Sequence, residues 1–503
     1  MPASKWNRRQ AVAALGLLGA PAAAKTNGPE VYTRVGGRPF INLTATYTIN
    51  GGTLTWPEVK QAMEEASHYP VNLDELMEKV GERLSRLLGS ESAIVTCGAA
   101  AALVHATAAC VAGADPEKMQ QLPQLDGLKN EVVIPRQSRN AYDHAIRSVG
   151  VRMVEIDARE EFHAALGPRT AMVAVLGTGE ARGKIRLEEM AEAAHKRGVP
   201  VLVDAAAELP NPPNPFLSRG ADLVAYSGGK ILRGPQCAGL LLGRKDLVAA
   251  AWMNSSPHHA FGRSMKVGKE EVMGMLAAIE VWRKHDLQAE YRKWEGWLAM
   301  IADRIGRIDG VVTKPMPPAG ASPFPVLHVS WDPRKIGYTA GEIGRLLLDG
   351  DPRIKSHAEG NGHSFLIRPV AMKAGEAKVA AQRLADILRQ APPVKPEPAL
   401  RPPSVALAGR WEVDLEFVSG SARHSLTLEV SGNQITGTHQ GRIAKGTVAG
   451  RIDGDAVRFS SSLPVEGTRL PYEFQGVAQA GRMSGEAGLG EYGSARWSAR
   501  RVG

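Results

Sequence analysis

The chain has 503 residues, 44% of them hydrophobic, so it is long enough for two or three domains with substantial cores. Its formal charge of +9 is spread along the sequence and forms no basic run, which gives no support to nucleic-acid binding. Three cysteines, at positions 97, 110 and 237, fit neither a disulfide framework nor a metal-ligand pattern. We therefore expect no nucleic-acid partner and no metal site.

The first 24 residues have the pattern of an export signal. Lys5, Arg8 and Arg9 form a basic segment, an apolar run follows at residues 11–18, and alanines at 22–24 offer a cleavage site. The segment NRRQAVAAL resembles a twin-arginine signal, although Asn7 stands where Ser or Thr is usual. We expect export to the periplasm or cell envelope and no stable membrane span. The alternative is an ordinary amphipathic or disordered terminus.

The next segments predict an arm, helices and a phosphate-binding turn. Residues 25–70 are predicted to form an N-terminal arm, and apolar residues at helical spacing between 58 and 88 predict one or two helices ending at Gly89. A short strand at residues 93–96 then leads into a helix of small residues, whose N-terminus would present free N–H groups. Gly98, Ala99 and Ala100 are thus candidates to bind a phosphate. The alternative is a close helix–sheet contact that needs small side chains.

Strands alternating with helices between residues 131 and 243 predict a mostly parallel sheet. One strand ends on Asp204, and a second ends in the sequence Ser-Gly-Gly-Lys, residues 227–230. Because ligands bind at the carboxyl ends of strands in such sheets, we expect Asp204, Ser227 and Lys230 to converge. An amine can form a Schiff base with the aldehyde of pyridoxal phosphate, while a buried carboxylate keeps the pyridine nitrogen protonated. The Ser227 hydroxyl is a candidate ligand for the phosphate.

These residues resemble a known family. The strand with Asp204, the SGGK turn and the following GPQ resemble the fold-type I pyridoxal phosphate enzymes. INLTATYTINGG, TCGAAAAL, RNAYDHAIRSVG and GRSMKVGKEEVMG are similar to the branch that contains L-seryl-tRNA selenium transferase (selenocysteine synthase) and the D-glucosaminate-6-phosphate ammonia-lyase-like proteins. The resemblance implies Lys230 and Asp204 as catalytic residues.

The resemblance adds further candidates. In related enzymes the loop after the strand at 131–135 supplies the side chain over the cofactor ring, and the choices here are Ser138, Arg139 and Asn140, none of them aromatic. Arg139 is therefore a cofactor-binding candidate that could instead bind a substrate anion. The residues that open the next helix, 142–144, are interpreted as a helix terminus.

Four more basic residues are candidates for the cofactor phosphate or an acidic substrate: Arg263, Lys266, Lys269 and Arg368. The first three belong to a GRxMKxGKEE pattern of the resembling branch. The alternatives are a solvated basic loop and, for Arg368, an exposed strand arginine.

The remainder of the chain predicts further domains. A long helical stretch at residues 270–305 leads into an α+β domain, and a proline-rich spacer precedes alternating strands typical of a meander or barrel. That β module is expected to stabilise or attach the protein, with ligand binding as the alternative. The predicted boundaries are 1–24 for the signal, 25–70 for the arm, 71–270 for the cofactor-binding domain, 271–390 for the α+β domain, 391–404 for the linker and 405–503 for the β module.

The sequence favours an exported pyridoxal phosphate lyase that performs elimination on an amino acid or amino-sugar acid. The alternatives are selenium transfer to seryl-tRNA, transamination or racemisation, and a ligand-binding protein on the same scaffold. Since fold-type I active sites are usually shared by two subunits, we expect a homodimer or a higher even oligomer.

Overall fold

The computed structural model describes residues 29–320, 322–393 and 399–502, which fall into two compact units. The large unit contains Thr53–His285 and the residues after the proline-rich segment; the small unit contains the residues up to Gly52 and those from Asp286 to that segment. The predicted export signal lies outside the described residues, as do residues 394–398 of the linker. Each helix in the described part of the chain is either too short or too polar to span a bilayer.

A seven-stranded sheet forms the centre of the large unit. From edge to edge its strands are Ser92–Thr96, Gly239–Gly243, Leu223–Ser227, Val201–Asp204, Thr170–Leu176, Glu131–Pro135 and Arg152–Ile156. Gly239–Gly243 runs antiparallel to both of its neighbours, and the other pairings are parallel. The buried inner strands are rich in valine and leucine, as expected for a parallel sheet covered on both faces. The predicted mostly parallel sheet is confirmed.

Helices alternate with these strands along the chain. They are Pro57–Ser67, Leu73–Leu88, Gly98–Ala112, Pro116–Gln121, Asp143–Arg147, Arg159–Ala165, Gly177–Glu180, Leu187–His195, Lys245–Met253 and Lys269–Trp282. The second helix begins after Asn72, whose side chain accepts two backbone N–H groups of the first turn. It ends at Gly89, which has a φ of +68° and caps the helix in the left-handed conformation. The sequence predicts this end correctly.

The small unit is an α+β domain. Its antiparallel sheet has the order Ser364–Ile367, Val326–Trp331 and Val311–Met316, and its helices are Glu30–Thr33, Leu287–Ile305, Ala340–Asp349 and Glu376–Arg389. Ile41–Asn42 pairs in parallel with Ile354–Lys355. Part of the predicted N-terminal arm is therefore built into the small unit of its own chain.

The carboxyl-terminal module is a closed eight-stranded antiparallel barrel. Its strands are Gly409–Glu416, Ser421–Ser431, Gln434–Gln440, Lys445–Asp453, Ala456–Val465, Thr468–Gln479, Arg482–Gly488 and Ser494–Val502. Buried and exposed residues alternate along each strand, and the interior is filled by side chains that include Trp411, Phe459, Phe474 and Trp497. The predicted β module is thus a barrel with a packed core.

Two predicted boundaries differ from the division in the structure. The stretch at 270–305 is two helices, because the Asp286 side chain accepts the N–H of Ala289 and starts a new helix there. Lys269–Trp282 stays with the large unit, so the division falls at Asp286 instead of residue 271. At the other end the division follows Gly52, inside the predicted arm of residues 25–70.

Candidate active site

The carboxyl ends of three strands bring the predicted site residues to one edge of the sheet. Gly239 is paired with Thr96 on one side and with Ser227 on the other, and Asp204 is paired with Ala225 on the next strand. Since Ser92–Thr96 and Leu223–Ser227 flank the same antiparallel strand, they point in the same direction. The structure therefore places Asp204, Ser227 and the start of helix Gly98–Ala112 along one edge.

Lys230 lies in a tight turn that directly follows Ser227. The Gly228 N–H donates to Ala238 O at 2.8 Å, and the Arg233 N–H donates to Lys230 O at 3.0 Å. A Cβ placed on Gly228 would lie 2.7 Å from Met275 Sδ, and one on Gly229 would lie 2.2 Å from the Gln236 side chain. The two glycines are required because the turn packs this closely.

The turn is also fixed from the opposite side by Trp56. Its indole N–H donates to Leu232 O at 3.1 Å, and the Arg233 guanidinium lies 3.7 Å from the centre of its ring. Arg233 itself has a φ of +54°, a conformation that costs a residue with a Cβ roughly 1 kcal/mol or more. Trp56 was not among the predicted residues, because its contact with residue 233 spans a long sequence separation.

The electrostatics of Lys230 and Asp204 match a cofactor-binding pair. Burial lowers the pKa of the Lys230 amine, and the charge of Asp204 opposes that effect. Burial raises the pKa of Asp204. The hydrogen bond from the Ala206 N–H at 3.1 Å and the charge of Lys230 both act in the opposite direction and lower it. The two groups are close enough to affect each other's ionisation. A cationic ring nitrogen next to Asp204 would compensate the buried carboxylate.

The start of helix Gly98–Ala112 has the geometry of an anion site. Gly98 has a φ of +85°, and the first N–H groups of any helix lack acceptors within the helix. A Cβ placed on Gly239 would lie 2.5 Å from Gly98 C and 2.6 Å from Ala99 N, so helix and strand are in direct contact. The close helix–sheet contact, which the sequence left open as the alternative to a phosphate site, is therefore present. It brings the N–H groups of Ala99 and Ala100 to the same sheet edge as Ser227.

The loop after strand Glu131–Pro135 is held rigidly. The buried Ser138 hydroxyl accepts the Leu176 N–H at 3.0 Å, and the Asn140 side chain accepts the Tyr142 N–H at 2.7 Å. Arg139 donates to carboxylates of Asp143, Glu155 and Glu466. These pairs occupy its guanidinium, so its predicted contact with cofactor or substrate stays a prediction without support from the observed contacts.

Tyr142 is the aromatic residue that the sequence interpretation passed over. Its ring centre lies 5.9 Å from Lys230 Nζ, although the residue was assigned to a helix terminus. Tyr142 does precede helix Asp143–Arg147, so that assignment is correct but incomplete. The Asn140 turn directs the chain so that the ring reaches the lysine.

Glu208 is a second residue that the sequence did not single out. Its Oε1 is buried without a hydrogen-bond partner among the described residues, and a Cβ placed on Gly177 would lie 2.1 Å from that atom. Burial, followed by the charges of Asp204 and Glu180, raises its pKa to about 7. A carboxyl group that titrates near neutral pH therefore lies next to the Asp204 charge.

A small void adjoins Asp204. It has a volume of about 10 Å³ and is lined by residues that include Ser138, Asp143 and Leu202. That is the space of one water molecule, so the void is too small to hold the cofactor ring.

The basic candidates are distributed over both units. Arg263 donates to Ser256 Oγ at 3.4 Å, Lys269 pairs with Glu270, and Lys266 is exposed; all three belong to the large unit. Arg368 belongs to the small unit, directly after strand Ser364–Ile367, where its N–H donates to Leu43 O. Their predicted roles in anion binding remain predictions.

Comparisons with known proteins agree with this geometry. Residues 59–266 match the family model described as Aminotransferase class-V. A 5'-C-glycyluridine monooxygenase-decarboxylase from Streptomyces sp is 32% identical over 337 residues, which are 64% of this chain and 83% of that protein. The chain belongs to the class-V aminotransferase family. As a member, it is a pyridoxal phosphate enzyme of fold type I.

Other relatives lie in the predicted branch of the class-V family. A D-glucosaminate-6-phosphate ammonia lyase from Salmonella typhimurium (strain 14028s / SGSC 2262) is 28% identical over 375 residues, which are 72% of this chain and 99% of that protein. The solved structure of a D-glucosaminate-6-phosphate ammonia-lyase superposes with a TM-score of 0.64 and the same coverage. An L-seryl-tRNA(Sec) selenium transferase from Rhizobium meliloti (strain 1021) is 30% identical, over 57% of its length.

The residues present fit pyridoxal phosphate. Lys230 offers an amine whose pKa is lowered by burial, and Asp204 offers a carboxylate for the ring nitrogen. The Gly98 helix start and Ser227 offer donors for the phosphate at the same edge of the sheet.

Proposed function

We propose that this enzyme is a lyase that performs elimination on an amino acid or an amino-sugar acid. The observation that carries the proposal is the Lys230–Asp204 pair at the carboxyl edge of the sheet, in a chain that matches an ammonia lyase over 99% of that protein's length. Substrates of this class carry an amine that would replace the Lys230 amine on the cofactor aldehyde, and a carboxylate that the basic candidates could bind.

Each residue of the proposed site would have a separate role in the reaction. When bound, pyridoxal phosphate withdraws electrons from the substrate's α carbon. Lys230 would hold the cofactor aldehyde, and its amine, when free, would take or return a proton at that carbon; burial lowers the pKa of the amine, which favours its neutral, proton-accepting form. Asp204 would stabilise the positive ring nitrogen, while Ser227 and the Gly98 helix start would hold the phosphate. The Tyr142 ring centre lies 5.9 Å from the Lys230 amine.

A second candidate reaction has its own support. The 32% identical relative is named as a monooxygenase-decarboxylase, and this chain covers 83% of it. Loss of carbon dioxide with uptake of oxygen would start from the same lysine and aspartate. Selenium transfer has weaker support, since the match covers 57% of the transferase.

One experiment separates these reactions. Holoprotein is incubated with pools of D- and L-amino acids and amino-sugar acids while ammonia, keto acid, carbon dioxide and dissolved oxygen are measured. A lyase releases ammonia and keto acid without oxygen uptake. Oxygen uptake with carbon dioxide release would instead support the second candidate. Lys230→Ala serves as the control and should be inactive in every arm.

We also propose that the protein is exported and that it assembles as a homodimer or a higher even oligomer. Support for export is the basic and apolar pattern of the first 24 residues, and support for assembly is the basic GRSMKVGK segment of the resembling branch. Replacing Arg8 and Arg9 with lysine should retain the protein inside the cell. Sedimentation that shows a stable monomer with bound cofactor would refute the assembly.

A further inference from the structure

One hairpin turn of the barrel contacts the active-site loop directly. The turn consists of Glu466 and Gly467, between strands Ala456–Val465 and Thr468–Gln479. Glu466 Oε2 accepts a hydrogen bond from Arg139 Nη2 at 2.6 Å. A Cβ placed on Gly467 would lie 2.1 Å from Asn140 O. The turn therefore lies against the loop with no space for any side chain at position 467.

Arg139 is the shielded end of the ion pair at this contact, whereas the Glu466 side chain is 43% exposed. The Arg139 side chain is 12% exposed, and its Nε donates to Asp143 Oδ2 at 2.6 Å. The Asp143 carboxylate is almost fully buried and also accepts from Arg147 at 3.2 Å. Because a buried guanidinium needs its carboxylate partners, removing Glu466 leaves part of a charge uncompensated. The barrel thus supplies one of the charges that this loop requires.

The backbone of the turn is strained at the contact. Glu466 has a φ of +51°, a region that glycine or asparagine usually occupies in turns. Such a conformation costs roughly 1–2 kcal/mol and persists when surrounding contacts enforce it. Glutamine at this position could still accept a hydrogen bond from Arg139, but only an acidic side chain also supplies the negative charge of the ion pair. Glu466 therefore has both the strained backbone conformation and the ion pair with the loop.

The contacted loop leads straight to the catalytic lysine. Asn140, whose carbonyl oxygen touches the barrel turn, accepts the N–H of Tyr142 through its side chain. The Tyr142 ring centre lies 5.9 Å from Lys230 Nζ. The Tyr142 ring already lies near the lysine. A displacement of the loop by the barrel turn would therefore change the position of this ring relative to Lys230.

We propose that the barrel is a positioning element of the active site, with Glu466 and Gly467 holding the loop of residues 136–143 and, through it, Tyr142 next to Lys230. The effect that we expect on cofactor binding rests on the proposed function, in which Lys230 is the attachment point of the cofactor. More than a quarter of this chain lies outside the match to the ammonia lyase, which is itself covered almost completely. The barrel contact gives the module a role beyond attachment.

Hydrogen exchange of the full-length protein without added cofactor tests the contact. In Gly467→Ala the Cβ collides with the loop, and in Glu466→Gln the charge is lost, so amides of residues 136–143 should exchange about tenfold faster, the factor that corresponds to about 1.4 kcal/mol. The matched controls are Gly488→Ala, whose Cβ would meet Glu473 at an ordinary 3.6 Å, and Glu416→Gln, which loses an ion pair within the barrel. Both controls should leave the loop unchanged.

A cofactor readout completes the test. In Gly467→Ala and Glu466→Gln we expect the Kd for pyridoxal phosphate to rise about tenfold and the pH midpoint of the bound cofactor's absorbance to shift, neither of which occurs in the controls. Unchanged loop exchange in both variants would overturn the proposal. So would faster exchange with an unchanged Kd and pH midpoint. The exchange measurement needs no substrate, so its result is independent of whether the proposed elimination is correct.

Discussion

Replacing Glu208 with glutamine removes a carboxyl group whose ionisation the fold opposes. The pKa of Glu208 rises from 4.5 to about 7, first because of burial and then because Asp204 and Glu180 repel its charge. Between these two pH values the folded protein binds a proton that the unfolded chain has released. The stability of the wild type therefore falls as pH rises through this window.

The size of the effect follows from the two pKa values. Each pH unit between them corresponds to about 1.4 kcal/mol, so ionised Glu208 lowers the free energy of unfolding by about 3 kcal/mol above pH 7. Glutamine keeps the shape and cannot ionise. Relative to wild type, Glu208→Gln should gain about 2.5 kcal/mol between pH 5 and pH 8, because part of the effect is already present at pH 5.

Urea unfolding of both proteins without cofactor, at pH 5, 6, 7 and 8, measures this difference. Glu58→Gln is a suitable control, because Glu58 is exposed in the first turn of helix Pro57–Ser67. If wild type and Glu208→Gln show the same pH dependence, Glu208 is not held in the environment described above, and the charge balance assigned to Asp204 fails with it.

Three other substitutions test separate parts of the account. Asp204→Asn should retain the cofactor but lower kcat by at least about 100-fold in steady-state assays, since a neutral amide does not keep the ring nitrogen charged. Trp56→Ala removes the ring that stacks on Arg233 and should raise the Kd for pyridoxal phosphate about tenfold in a fluorescence titration, while Trp56→Phe keeps most of the affinity. Asp222→Ala removes a buried carboxylate that accepts hydrogen bonds from Val201, His195 and Arg244, and should cost about 3–5 kcal/mol in denaturant unfolding.

The parts of the site that lie on strand ends could be predicted from the sequence. Asp204 and Ser227 each terminate an apolar run, and parallel strands bring their carboxyl ends to one edge regardless of how the helices pack. Lys230 follows within three residues, so local chain geometry keeps it there. The barrel was predictable for a similar reason, because alternation with period two and glycine turns are local signals.

The residues that the sequence did not single out depend on long-range packing. Glu208 lies on an irregular segment, and its raised pKa comes from burial that no local pattern encodes. Glu466 reaches Arg139 across more than 300 residues, which only the docking of the barrel brings about. Tyr142 was identified as a helix terminus, and its second role depends on the path of the loop before it. Arg139 was taken as a ligand for anions, although Asp143, one of its carboxylate partners, lies only four residues away; of its three partners only Glu466 is distant in sequence.

The central claim is that Lys230 is the covalent attachment point of pyridoxal phosphate. Reduction of the holoprotein with borohydride, followed by proteolysis and mass spectrometry, locates the attached group. We expect one reduced cofactor on the peptide that contains Lys230 and none on the Lys230→Ala protein. Attachment to a different lysine, or equal labelling of Lys230→Ala, would contradict it.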